Sequence, residues 1–195
     1  IKKDKKKLLQ KHIYNPRRDG LNPYKSWRAC YVFMSHLNVE IKAKCQDQDK
    51  VRSILKSKNP DFKGVDHQID TYFNVLQGRL KLREGNIENQ LIYYERENKK
   101  GSKQSNVLML KNEPGSELKQ ILKNVLEILV VVDKKREIYF IENVKIHIDY
   151  VKSLGRFIEI EATSQDDFIP IEKLREQCNY YKELFGIENK NLIKN

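Results

Sequence analysis

Charged and apolar residues alternate along several strand-length segments of this sequence, and this alternation constrains the fold more than any other feature. In the segment 38–44, polar side chains occupy the even positions, and Val39, Ile41 and Ala43 occupy the odd ones. Successive side chains of a β-strand point to opposite faces, so the pattern predicts a strand with one charged and one apolar face. The same period recurs at 78–83, 144–150 and 157–162.

Other segments complete a strand-rich domain. Further strands are predicted over 67–73, 90–96 and 130–140, the last forming a hairpin with 144–150 about Glu142 and Asn143. Helices are predicted over 47–58, 116–126 and 170–185, with Asp47 and Ser116 as N-caps of the first two. Residues 97–105 are predicted as a polar loop. Short strands joined by hairpins favour an α+β fold that is mainly antiparallel, as a sheet or a barrel.

The first 33 residues differ from the rest in composition. They hold ten basic and two acidic residues, whereas the formal net charge of the whole chain is +11. No helical or strand period is sustained there, so we interpret 1–33 as a basic, disordered N-terminal extension. A lysine-rich segment can bind nucleic acid. That function would depend on this segment alone, and nucleic acid is not the expected partner.

Several classes of protein do not fit the composition. The longest purely apolar run, 128–132, is too short to span a bilayer, so no membrane association is expected. No apolar signal-peptide segment is recognised near residue 1. Cys30, Cys45 and Cys178 are too widely spaced to indicate a disulfide framework or a zinc site. A cytoplasmic location is therefore expected.

The charges on the predicted strand faces are sorted by strand. Arg79, Lys81 and Arg83 form a purely cationic face, while Glu159 and Glu161 form a purely anionic one. An outer face in contact with water would explain any single strand. A closed sheet with its charged faces inward would instead collect both signs in one lumen. Such a lumen suits a metal–triphosphate complex, because cations bind phosphate oxygens and carboxylates bind a divalent metal.

Read in order, these segments resemble the CYTH family, also called triphosphate tunnel metalloenzymes. The family hallmark Glu-x-Glu-x-Lys corresponds to Asn38-Val39-Glu40-Ile41-Lys42. The other matching segments are HQIDTYF at 67–73, GRLKLRE at 78–84, LIYYER at 91–96, KKR at 134–136, DYV at 149–151 and LGRFIEIE at 154–161. The resemblance covers about 38–185 and looks closest to the class IV adenylyl cyclase-like, thiamine triphosphatase-related branch.

The resemblance implies an eight-stranded antiparallel tunnel barrel with flanking helices over 34–188, followed by a tail at 189–195. It implies that Glu40, Glu159 and Glu161 are catalytic metal ligands, and that Asp149 is a further ligand or a supporting acid. The side chains that it implies for triphosphate binding are Lys42, Lys81, Arg83, Arg96, Lys134 and Arg136. The implied cofactor is Mg²⁺ or Mn²⁺. The implied partner is a nucleoside or other organic triphosphate, such as ATP or thiamine triphosphate, and a monomer or homodimer is expected.

One position departs from the hallmark. Asn38 replaces its first glutamate, and an amide offers a carbonyl oxygen without a negative charge. This weakens one metal position, which we interpret as the second metal. Metal-dependent triphosphate hydrolysis is the first hypothesis, because it needs only a positioned water. The alternatives are a class IV adenylyl cyclase that converts ATP to cyclic AMP and pyrophosphate, and a non-catalytic module that binds triphosphate or polyphosphate.

Overall fold

A computed structural model describes residues 34–96, 101–165 and 168–193 of the chain, so the predicted extension 1–33 lies outside the described residues. Its strands form a closed antiparallel barrel in the order β1-β5-β4-β3-β2-β6-β7-β8. This confirms the mainly antiparallel α+β fold and the eight-stranded barrel.

The strands and helices have the following bounds. The strands are β1 (Met34–Lys44), β2 (Asp61–Phe73), β3 (Arg79–Glu84), β4 (Gln90–Arg96), β5 (Lys103–Lys111), β6 (Ile128–Ile141), β7 (Val144–Val151) and β8 (Gly155–Gln165). The helices are α1 (Gln48–Ser57), α2 (Leu118–Val125) and α3 (Ile171–Leu184), and a short 3₁₀ turn follows at Asn189–Asn191.

The main hydrophobic core lies outside the barrel wall. The outward faces of β1, β7 and β8 pack beneath α1 and α3, which contribute Val51 and Leu55, and Leu174 and Cys178. The barrel residues in this core include Val39, Ile41, Ala43, Ile146, Ile148, Ile158 and Ile160. Since helices cover the apolar faces of β1, β7 and β8, the charged faces of these three strands point into the lumen. Asp47 caps α1 by accepting a hydrogen bond from the Lys50 amide at 3.0 Å, as predicted.

The prediction of a loop over 97–105 is wrong at its C-terminal end, because β5 begins at Lys103. Lys103 and Ser105 are buried on the inner face, while Gln104 and Asn106 are exposed on the outer face. Both faces of this part of the strand are polar, so the sequence lacks the apolar–polar contrast that reveals a strand.

The predicted cap of α2 is also wrong. The helix starts at Leu118 with Glu117 in the N-cap position, and no side chain caps it. The Ser116 hydroxyl instead donates to Asn112 Oδ1 at 2.7 Å. Leu122 anchors this helix against Leu82 on the outside of β3.

The β6–β7 turn and the segment 189–193 complete the described part of the domain. The β6–β7 turn lies at Glu142 and Asn143 as predicted, with Glu142 at a φ of 53°. Residues 189–193, the described part of the predicted tail, lie along the end of β1. There Leu192 forms a bridge with Ala43, and the Ile193 amide donates to the Lys42 carbonyl at 3.1 Å. Among the described residues, no helix is long and apolar enough to cross a membrane.

Candidate active site

The lumen of the barrel is a cavity of about 790 Å³. Nine of the ten predicted site residues line it: Glu40, Lys42, Lys81, Arg83, Arg96, Lys134, Arg136, Glu159 and Glu161. Asp149, the tenth, is not among the lining residues. Two further cations, Arg79 and Lys145, and two further carboxylates, Asp70 and Glu88, also line the cavity. The cations of the wall outnumber its carboxylates.

The β1–β8 pairing places the three predicted metal ligands on neighbouring strands. Glu40 lies directly opposite Glu161, and Lys42 lies opposite Glu159. Glu159 and Glu161 share the inner face of β8 because they are two residues apart. His147 joins them from β7, and one ligand atom from each of these three residues lies within 4.8 Å of the others. This group offers two carboxylates, which are ligands that Mg²⁺ and Mn²⁺ prefer, and one imidazole nitrogen.

These carboxylates differ in the cations that they contact. Glu159 Oε2 accepts from Lys42 Nζ at 2.7 Å and from Arg136 Nη2 at 3.2 Å. Burial opposes its ionisation, but Lys42 and Arg136 hold the pKa of Glu159 well below its usual range. Burial, and next the charge of Glu159, raise the pKa of Glu40 despite a contact with Arg96. Positive charge added near Glu40 would therefore be stabilising.

Asn38 lies beside the carboxylates in the place of the hallmark glutamate. Its Nδ2 donates to Glu161 Oε1 at 2.9 Å. Its Oδ1 is buried and has no hydrogen-bond partner within the described part of the chain. An unpartnered buried acceptor next to two glutamates is suited to a cation or a donor group.

Asp149 lies behind the cavity wall and supports Arg136. Its side chain is fully buried, and its two oxygens accept from Arg136 Nε at 2.7 Å and Nη2 at 2.6 Å. Burial opposes the charge, but Arg136 holds the pKa of Asp149 well below its usual range. Both oxygens are thus engaged by a guanidinium, which is the geometry of a supporting acid.

Asp70 is a central residue that the sequence did not single out as a site residue. Its carboxylate accepts from Arg83 Nε at 2.8 Å and Nη2 at 3.0 Å, and from Lys134 Nζ at 2.8 Å. Lys81 Nζ lies 3.4 Å away. Asp70 therefore joins three of the predicted phosphate-binding cations. The period of two along 67–73 could indicate that the Asp70 side chain faces the lumen, but it could not indicate which cations this side chain contacts.

His147 lies on the predicted charged face of β7 and is buried. Its Nδ1 is 3.5 Å from Glu159 Oε1. Burial, and next Arg136, lower the pKa of His147 to about 3. The imidazole is therefore neutral near pH 7, and it can offer a nitrogen lone pair to a cation.

One end of the cavity, which we call the apolar end, carries large exposed apolar side chains. The β2–β3 and β7–β8 turns and the start of β6 share one end, because adjacent strands are antiparallel. Apolar residues line this end, among them Phe73, Leu129, Val130 and Leu154. Leu129 and Leu154 are 67% and 68% exposed, which is unusual for large apolar side chains unless they meet a ligand or partner.

A closed eight-stranded barrel with charged inner faces and helices on its outer apolar faces defines a tunnel-type β-barrel. The model of the CYTH domain matches residues 36–193, and the chain belongs to this family.

Known proteins of similar sequence or structure agree with this membership. A protein of Methanocaldococcus jannaschii named “Putative adenylate cyclase” is 30% identical over 166 residues, covering 81% of this chain and 94% of its own. A solved structure from Vibrio parahaemolyticus with the same designation has a TM-score of 0.68 at 17% identity, covering 82% of this chain and 94% of its own. An adenylyl cyclase-like structure from Hippeastrum, described as having a dominant triphosphatase activity, has a TM-score of 0.51 at 13% identity, covering 77% and 88%. These two structures support the fold alone.

Proposed function

We propose that this chain is a divalent-metal-dependent hydrolase of a nucleoside or other organic triphosphate. The observation that carries the proposal is the convergence of six predicted phosphate-binding cations and three predicted metal ligands on one cavity. A polyanion and its metal need both sets of charge within a few ångströms. Membership in the CYTH family supports the same class of activity.

The metal would be held by Glu40, Glu159 and Glu161, with Mg²⁺ or Mn²⁺ as the ion. The fit rests on the electrostatics of this cluster, in which burial and the neighbouring Glu159 already disfavour the charge of Glu40. The unpartnered Asn38 Oδ1 adds a neutral oxygen at the same place. When bound, such an ion supplies positive charge to phosphate oxygens and to an attacking water. Asp149 contributes by orienting Arg136.

The cations of the lumen would bind the phosphate oxygens. Arg136, Arg83 and Lys134 are held by buried carboxylates, so their side chains are already ordered before a ligand arrives. Ordering in advance lowers the entropy cost of binding. The apolar end of the cavity, with Leu129 and Leu154, would hold the organic group of the substrate. This favours an organic triphosphate over inorganic tripolyphosphate.

In hydrolysis, the oxygen of a water forms a bond to the terminal phosphorus, the bridging P–O bond breaks, the organic diphosphate leaves with the bridging oxygen, and the phosphate formed is released with a proton from the water. Cyclisation requires in addition that a ribose 3′-hydroxyl lie over the α-phosphorus, after which pyrophosphate leaves. Hydrolysis therefore makes the smaller demand on the site. Cyclisation remains the second candidate, because the relative that is 30% identical is named for it.

A substrate panel tests the proposal. ATP, thiamine triphosphate and tripolyphosphate are each incubated with Mg²⁺ or Mn²⁺, and phosphate, pyrophosphate and cyclic nucleotide are measured. We expect metal-dependent release of phosphate, with the organic substrates preferred. Cyclic AMP with an equal amount of pyrophosphate would instead support the cyclase. Binding without turnover of any of the three would leave only the binding module.

A further inference from the structure

The turn between β3 and β4 places a carboxylate in the lumen that none of the predicted roles includes. Glu88 lines the cavity, and its side chain is 13% exposed. Its Oε2 accepts from Arg83 Nη1 at 2.8 Å and from Gln68 Nε2 at 3.0 Å. Its Oε1 contacts Lys145 Nζ. Glu88 thus neutralises two cations of the tunnel, one of which is a predicted phosphate-binding residue.

The backbone of this turn is fixed by a second, fully buried carboxylate. Asp66 accepts from the amides of Ile87 and Glu88 at 2.9 and 3.0 Å. Gly85 permits this approach, because a Cβ at that position would lie 2.7 Å from the Asp66 carboxylate oxygens. The position of Glu88 is therefore set by the main chain as well as by its ion pairs.

The cations around Glu88 favour its ionised form. Burial opposes its ionisation, but Lys145 and Arg83 hold the pKa of Glu88 far below its usual range. The β3–β4 turn shares its end of the barrel with the β6–β7 turn, since both follow strands of the same direction. This end is opposite the apolar end of the cavity. A phosphate chain whose organic group lies at the apolar end would extend towards Glu88.

We propose that Glu88 is a specificity-determining residue that stops the phosphate chain at the β3–β4 end of the tunnel and limits the substrate to triphosphates. This inference rests on the proposed function and deepens it. A longer chain would bring another anionic phosphate towards a fixed carboxylate, and it would compete with that carboxylate for Arg83 and Lys145. Both effects disfavour the longer chain, and they are strong where water is excluded.

The test compares adenosine 5′-triphosphate with adenosine 5′-tetraphosphate, which share one organic group. We expect wild type to prefer the triphosphate by at least about 10-fold in kcat/KM, the scale of one repulsive charge contact. Glu88→Gln keeps the shape and removes the charge, so it should reduce this preference about 10-fold. Glu88→Asp keeps the charge and should retain most of the preference.

A matched control lies on the same hairpin. Glu84 pairs with Lys119 at 2.6 Å, away from the cavity wall, so Glu84→Gln should keep the wild-type preference. Loss of stability alone would lower turnover of both nucleotides equally and leave their ratio unchanged. An unchanged ratio in Glu88→Gln, or a wild type that accepts both nucleotides equally, would overturn the inference.

The failure of the proposed function is a separate result. If wild type hydrolyses neither nucleotide, the hydrolase proposal fails, and the chain-length preference is then measured by calorimetric binding of the two nucleotides to the full chain. If Glu88→Gln does not fold, the affinities of wild type for the two nucleotides are compared by the same calorimetric titration. Equal affinity for the two nucleotides would overturn the inference in either case.

Discussion

Restoring the hallmark carboxylate at Asn38 should make the stability of the protein depend on a divalent metal. In Asn38→Glu, a carboxylate replaces the amide that donates to Glu161 Oε1 at 2.9 Å. Two unit charges about 4 Å apart repel by about 4 kcal/mol at an effective dielectric constant near 20. The repulsion can be relieved if one carboxyl takes up a proton, and this limits the free-energy cost to a similar value. Raising a glutamate pKa from about 4.3 to 7 corresponds to about 4 kcal/mol.

We therefore expect Asn38→Glu to lower the free energy of unfolding by about 2–4 kcal/mol at pH 7 in the presence of a chelator. For a chain of this size, that corresponds to a fall in Tm of roughly 5–15 °C. The direction of the pH dependence follows from the raised pKa of the paired carboxyls in Asn38→Glu. The loss should shrink as pH falls from 7 towards 5, because the folded protein then takes up a proton that the unfolded chain does not yet bind.

The assay is thermal unfolding of wild type, Asn38→Glu and Asn38→Gln with chelator and with Mn²⁺. Asn38→Gln is the matched control, since it has the length of glutamate without its charge. Mn²⁺ should raise the Tm of Asn38→Glu far more than that of the control, and should increase its activity at low Mn²⁺. Equal melting of the two variants with chelator, and an equal shift with Mn²⁺, would refute the placement of a metal beside Asn38.

Three further substitutions separate metal binding, phosphate binding and structural pairing. Glu161→Gln should reduce turnover by at least ~10²-fold in the phosphate-release assay, as expected for a positioned electrostatic group, and wild-type turnover would contradict this. Arg136→Lys keeps the charge opposite Asp149 but not the paired contact, so steady-state kinetics should show KM raised about 10-fold with a smaller change in kcat. Asp70→Asn leaves buried cations unpaired and should cost about 3–5 kcal/mol in urea unfolding. Asp133→Asn, which removes the half-buried partner of the exposed His67, is its control and should leave the midpoint nearly unchanged.

Strand parity was the part of the site that the sequence could predict. Along β1 and β8 the apolar positions 39, 41, 158 and 160 all lie under helices, so the charged positions between them had to face the lumen. The period of two thus accounts for eight of the nine predicted residues on the cavity wall, whereas Arg96 was implied only by the family resemblance. It did not detect the start of β5, because Lys103 on the inner face and Gln104 on the outer face are both polar.

The pairing of charges across the lumen could not be predicted in the same way. Lys42 and Glu159 are 117 residues apart in sequence, and they meet only because closure of the barrel pairs β1 with β8. Glu88 lies in a turn, where no period indicates the direction of a side chain. Its position depends on the hydrogen bonds to Asp66, which is 22 residues earlier.

The cations bound to Asp149 and Asp70 separate these two carboxylates from Glu161, although all three lie on charged strand faces. Asp149 has both oxygens on Arg136, and Asp70 is bound by Arg83 and Lys134, so each is a buried counter-ion whose loss leaves cations unpaired. Glu161 is bound by the neutral amide of Asn38 instead. Asp149 and Asp70 therefore stabilise the barrel itself, whereas Glu161 retains its demand for positive charge. For this reason we expect substitution of Glu161 to change metal dependence, and substitution of Asp70 to change stability.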